Sequence, residues 1–301
     1  MDKEFSNRQY FKLLTEGKYH EAEDYRRLHV PHKLYKFVWL EDDSKSLLHW
    51  KIKERKSNSL KFSALQNNYL WLSHVKQLND PYEYKCMYVN KEKFRKAGYS
   101  DEIIATFENI LQDNMNQMGV TCFSEKEPEN NMPMWAYYAN NGRGFCIEYE
   151  VISPNQIHKV FYEPDSADAW RIPLAIILTD MMGEFYKNKK GLVMDESKME
   201  FCSNVIIMQL FMKHTSWQHE QEYRLVYPLS PGTTGCKVGI MGAGLKVNRI
   251  IAGMNCSKEH RDILNTISNE LGCGDIYHVA MSQTSFISLV RRGKVVNNNG
   301  K

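Results

Sequence analysis

Two carboxylates, Glu220 and Glu222, stand one residue apart where the polar stretch Trp217-Gln218-His219 gives way to the run Tyr223-Arg224-Leu225-Val226-Tyr227. In a strand, side chains two apart share a face, so Glu220, Glu222 and Arg224 are expected to project together while Tyr223, Leu225 and Tyr227 pack behind them. A carboxylate held that way can stabilise positive charge developing at a reacting carbon, as in the cleavage of a glycosidic bond. The same residues also fit an edge strand with an exposed Glu222–Arg224 ion pair worth roughly 0–1 kcal/mol and no chemistry.

Other familiar chemistries fail at decisive positions. His219-Glu220-Gln221-Glu222-Tyr223 has tyrosine where a zinc-hydrolase helix needs its second histidine, so two ligands on one helical face are missing and no metal site is expected. Gly242-Ala243-Gly244-Leu245-Lys246-Val247 puts valine in the third glycine position of a dinucleotide-binding turn, which blocks close helix–strand packing. No phosphate-cradling Gly-Lys-Ser/Thr and no Gly-x-Ser-x-Gly elbow occurs.

The elements that would position the carboxylates are mixed. Residues 4 to 28 read as two short helices in an N-terminal extension, residues 1–30, closed by Pro31. Aromatic and β-branched runs predict strands at 33–40, 69–73, 120–124, 144–149, 222–228, near Lys237, at 247–252 and at 276–280. Helical spacing predicts helices over 44–56, 101–118 with Ser100 as cap, 134–138, 167–188, 197–213 and 258–271. Leu78-Asn79-Asp80-Pro81 is a turn, because the residue before proline avoids the helical region, and Asn140-Asn141-Gly142 is a tight turn. Without a regular βαβ rhythm, the pattern implies one α+β domain over 31–290, with a frayed basic tail over 291–301.

Composition sets the class. A chain of 301 residues, 43% hydrophobic and 25% charged, is an ordinary globular protein, and a net charge of +3 is too mild to announce nucleic-acid binding. Seven scattered cysteines without a CxxC pair fit a reducing cytoplasm. Neither a signal peptide nor an apolar run of bilayer length is present, so a cytoplasmic protein without a membrane partner is expected.

Several cassettes taken together resemble a widespread bacterial family known mainly as a domain of unknown function. They are Leu34-Tyr35-Lys36-Phe37; Leu70-Trp71-Leu72-Ser73 running to Asn79-Asp80-Pro81-Tyr82-Glu83; and Cys122-Phe123-Ser124 with Met134-Trp135-Ala136-Tyr137-Tyr138 and Gly144-Phe145-Cys146-Ile147-Glu148-Tyr149. Trp217 with Glu220 and Glu222-Tyr223-Arg224-Leu225 completes the set, and Ile250-Ile251-Ala252-Gly253 closes a likeness covering about 32 to 290.

The chain is also distantly similar to the ADP-ribosyltransferase superfamily. That likeness implies a mixed, mostly antiparallel split sheet with peripheral helices and a cleft that binds NAD as a substrate. It implies Glu222 as the catalytic carboxylate with Glu220 beside it, Ser124 or Ser73 in the middle-strand position, and Tyr35 and Lys36 on the early strand, where Arg or His is the rule. Trp135 and Tyr138 would stack on the cofactor or serve only the core; Asn79 and Asp80 would contact a ribose or serve only their turn. The expected function is an NAD-dependent ADP-ribosyltransferase-like toxin or antiphage effector. It would modify a protein or nucleic acid and be restrained by an antitoxin or other regulatory protein. A metal-independent nuclease or hydrolase, or a non-enzymatic sensing module of a defence system, are the alternatives.

Overall fold

The alternating stretches form strands, and they assemble into one large mixed sheet. The computed structural model describes residues 5–42, 49–80, 82–84, 88–115, 117–164, 166, 169–187, 203–281, 288–291 and 294–296. In chain order the strands are β1 (Lys33–Val38), β2 (Tyr69–His74), β3 (Met118–Ser124), β4 (Phe145–Val151), β5 (Ile157–Lys159), β6 (Phe161–Glu163) and β7 (Met212–His214). They continue with β8 (Glu222–Pro228), β9 (Gly235–Gly239), β10 (Leu245–Ala252), β11 (Tyr277–Ala280), β12 (Ser288–Arg291) and β13 (Lys294–Val296).

The sheet runs β13-β12-β11-β10-β4-β1-β3-β2-β9, while β8 lies on the far edge of β3 and carries β5. Apart from the parallel β10–β11 pair it is antiparallel; β6 and β7 form a separate parallel pair. The expected α+β class with a mixed, mostly antiparallel sheet therefore holds. The sheet is split at β3. On the edge opposite β8, β1 pairs with β3 only at Tyr35↔Ser124, whereas β2 pairs only at Ser73↔Val120 and His74↔Gly119. Thr121, Cys122 and Phe123 thus face a fork between two diverging strands.

Helices α1 (Asn7–Thr15), α2 (Tyr19–Leu28), α3 (His49–Gln66), α4 (Lys91–Lys96), α5 (Asp101–Met115), α6 (Met132–Tyr138), α7 (Arg171–Lys187), α8 (203–208) and α9 (Lys258–Glu270) cover the sheet. Ser100 caps α5 as expected, its Oγ accepting from the Ile103 amide at 3.4 Å. One core joins α1, α2, α5 and α7 through residues such as Phe11, Phe107, Leu178 and Phe161; a second joins α3 and α9 to the sheet through Phe62, Phe145 and Leu264. The turn at 140–142 has all three residues at positive φ, as the Asn-Asn-Gly sequence implies. Gly144 follows because a Cβ there would meet the Val38 carbonyl oxygen at 2.0 Å.

Several boundaries differ from expectation. Helix α3, described over His49–Gln66, runs ten residues past 56, since Phe62 and Leu65 extend its buried face; residues 43–48 lie outside the described set. Of the predicted helix 197–213, residues 197–202 lie outside the described set; 203–208 are helical, and the chain then tightens into a 3-10 turn at Gln209–Phe211 and becomes β7. Strands β5 and β6, too short for clear periodicity, fill the unassigned stretch after β4. Residues 294–296, assigned to the tail, pair with β12, because Val295 and Val296 favour a strand; residues 297–301 lie outside the described set, as does the expected loop 189–196.

Candidate active site

The 3-10 turn Thr215–Glu220 and strand β8 deliver the two glutamates by different routes. Glu222 opens β8 and shares a face with Arg224, as alternation requires. Glu220 is not on that strand: it ends the turn, and Gln221 adopts a left-handed conformation (φ 44°) that reverses the chain into β8. The two carboxylates still meet, because Lys213 of β7 reaches both.

Lys213 Nζ lies 2.6 Å from Glu220 Oε2, 3.3 Å from Glu222 Oε2 and 3.0 Å from Glu83 Oε1. Arg224 holds Glu222 with both oxygens, through Nε at 2.7 Å and Nη2 at 2.9 Å, and also meets Glu83 Oε1 at 3.0 Å. All five side chains are at most 4% exposed, so the exposed edge-strand alternative is excluded; β8 lies between β3 and β5. Three carboxylates share two cations, and removing either cation would leave buried charge uncompensated.

This arrangement separates the two acids. Burial alone raises the Glu222 carboxyl, but Arg224 and then Lys213 outweigh it and hold its pKa at about 2. Glu220 is raised above the ordinary carboxylate value by burial, with the Glu222 charge adding to it. Lys213 opposes that shift without overcoming it. Its charge is divided among three acids, each of which keeps its ammonium protonated against the cost of burial. Glu220 Oε1 accepts a short hydrogen bond from the Tyr138 hydroxyl, which accepts in turn from Asn79 Nδ2 at 2.8 Å.

A cavity of about 260 Å3 opens in the fork of the sheet. Tyr35 and Lys36 of β1, Ser73 of β2, Asn79, Tyr138 of α6, Glu220 and Glu222 line it, residues drawn from stretches far apart in sequence. A larger cavity of about 1020 Å3 adjoins it, sharing Asn79, Glu83 and Lys213, and is lined further by Asp80, Tyr82, Glu163, Arg171, Trp217 and His219.

Two nominated residues lie elsewhere. Ser124 is fully buried with its Oγ donating to the Glu220 carbonyl at 2.7 Å and accepting from Asn131 Nδ2, so it supports the turn that carries Glu220. Trp135 packs edge-on against Phe37 and donates Nε1–H to the Pro128 carbonyl, a core position. Asp80 lines only the larger cavity and accepts from the Tyr82 amide, in keeping with its turn role.

Glu83 and Lys213 were not nominated, yet they connect the site. Glu83 had a signal, since it closes the Asn-Asp-Pro-Tyr-Glu cassette; Lys213 had none, because helical spacing assigned it to the end of a helix. Its Nζ occupies the space between three carboxylates that a cation would take. Among the described residues no His/Cys/Asp/Glu group is placed to hold a metal ion, and no helix is long and apolar enough to cross a membrane.

Residues 134–225 match the family described as Protein of unknown function (DUF2971). The DUF2971 match bears out the likeness to a domain-of-unknown-function family over a shorter stretch than 32 to 290. It takes in Tyr138, Lys213, Glu220, Glu222 and Arg224, and it stops short of β1, β2 and Glu83. No curated protein and no solved structure gives a significant match.

Proposed function

We propose that the chain is an NAD-consuming enzyme of ADP-ribosyltransferase type, with nicotinamide and its ribose in the fork of the sheet and the rest of the dinucleotide in the adjoining cavity. The observation that supports this reading is the convergence of the nominated residues on one cavity beside a second, whose volume is of the size that holds a drug-sized ligand, about 300–1,000 Å3. Glu220, rather than Glu222, takes the reacting role. Both oxygens of Glu222 are engaged by Arg224, whereas Glu220 meets one ammonium and one phenol and retains unused lone pairs on each oxygen.

In this scheme the C–N bond breaks with its electron pair staying on nicotinamide, and positive charge spreads over ribose C1 and the ring oxygen. The Glu220 carboxylate stabilises that charge and then takes the proton released as the acceptor attacks C1. Its raised pKa suits the second task. Lys213, Tyr138 and Asn79 position it.

The test is nicotinamide release from NAD by purified protein, with cell extract supplying acceptors. Wild type should release nicotinamide, and Glu220→Gln should lower kcat by about 10²–10⁴-fold with the melting curve retained. Absence of NAD turnover by folded wild type refutes the reading. Nucleic-acid cleavage without NAD would point to a hydrolase instead. The close pairing of Glu222 favours one rival, a non-catalytic pocket, which predicts NAD binding without turnover.

A further inference from the structure

Lys36 stands apart from the other cation of the fork. Lys213 is neutralised by three glutamates, but the Lys36 amine donates only to neutral acceptors, Thr121 Oγ1 at 2.6 Å and the Cys122 carbonyl at 3.3 Å. Among the described residues no carboxylate lies within ion-pair distance of it. Its position follows from the split: β1 leaves β3 after Tyr35, and the next side chain reaches across to the edge that β1 no longer pairs. Lys36 thereby lines the 260 Å3 cavity, as do Thr121 and Cys122, which its amine meets, and its strand is held along the other edge by β4.

We propose that Lys36 is a nucleophilic amine and that the fork cavity, when no dinucleotide fills it, takes a small hydroxy-aldehyde or hydroxy-ketone, which Lys36 captures as an imine. The amine lone pair attacks the carbonyl carbon, the C=O π pair moves to oxygen, and a proton passes from nitrogen to that oxygen. A second proton then lets the oxygen leave as water, and the nitrogen lone pair forms the C=N bond. No oxidant or reductant is required. Glu220, which lines the same cavity, relays that second proton from solvent to the oxygen, and Ser73 and Tyr138 offer partners to the ligand hydroxyls.

Electrostatics agree with the geometry. Burial disfavours the charged form of Lys36 and lowers its pKa; the Cys122 thiol on β3 and Glu222 on β8 oppose this without cancelling it. The other titratable groups around the cavity are Glu83, Glu220, Lys213, Tyr35 and Tyr138. A desolvated lysine of this kind holds its lone pair more available than an exposed lysine does at the same pH.

The test uses the full chain without NAD, so it is independent of nicotinamide release. Protein is incubated with glyceraldehyde and sodium cyanoborohydride at pH 7, and modified lysines are ranked by peptide mass spectrometry. Lys36 should be labelled at least about tenfold faster than the exposed Lys76 and Lys258. That lead should narrow by about pH 10, where ordinary lysines also lose their protons. Glu220→Gln should slow labelling at Lys36 and leave Lys76 and Lys258 unchanged. Labelling of Lys36 no faster than of the exposed lysines at pH 7, in wild type, overturns the proposal, whatever the variants do.

Discussion

At the scale of single residues, the site is an accounting problem in buried charge. Lys213→Met would leave Glu83, Glu220 and Glu222 with Arg224 as the one cation in ion-pair contact with them among the described residues. Loss of a buried partner costs about 3–5 kcal/mol, which urea unfolding at pH 7 would read as a lower midpoint at unchanged slope. The deficit should shrink toward pH 4, because acids that have lost their cation take up protons more readily; a deficit independent of pH would show that Lys213 acts by packing alone. Glu222 gives a second handle. Its folded pKa of about 2 lies below the unfolded value of about 4.3, so its contribution is complete above pH 4.3 and disappears as pH falls through 2. The gap between wild type and Glu222→Gln should therefore approach about 3 kcal/mol at pH 7 and close near pH 2, measured by thermal melts across that range. The sequence showed the Glu222–Arg224 pair through its two-residue spacing. It did not show the burial, since the strands that cover the pair, β3 and β5, come from elsewhere in the chain.

At the scale of elements, the backbone at Gln221 decides where Glu220 points. A non-glycine residue at positive φ is sterically disfavoured, and a β-branched one most of all. Gln221→Val should cost about 1–3 kcal/mol and reduce nicotinamide release, while Gln221→Gly should keep activity; equal melting temperatures for the two would contradict this account of the turn. Aromatic and aliphatic runs correctly marked the strands through residues 35, 70, 122, 147 and 225 because their apolar side chains reach the cores, on one face in most and on both in β1 and β4. It failed at β5, β6 and β7, which are three residues long and carry no period to detect. The split of the sheet was likewise illegible locally, as it depends on where β1 and β2 diverge along β3. Yet Tyr35, Lys36 and Ser73, nominated through a family likeness, line the fork that the split creates.

At the scale of the molecule, the N-terminal helices belong to the structure that holds the site. Tyr10 stacks on Phe161 with ring centroids 5.0 Å apart, and Phe11 stacks on Trp170 at 4.9 Å. Arg26, almost fully buried, donates to the carbonyls of Pro154 and Asn155 ahead of β5. Phe161 begins β6, β6 pairs with β7, and β7 carries Lys213. Removing residues 1–30 would thus expose the aromatic face beneath β6 and unseat the cation that joins the three glutamates. A detachable extension would behave differently, leaving the melting temperature of residues 31–301 within a few degrees of the whole chain. The packing predicts instead that the truncated chain loses cooperative unfolding, and that Phe11→Ala alone, at about 3–5 kcal/mol, lowers the urea midpoint substantially. Calorimetry on the two chains separates these outcomes, because the first two helices share their core with α5, α7 and β6, and removing them takes away one side of that core.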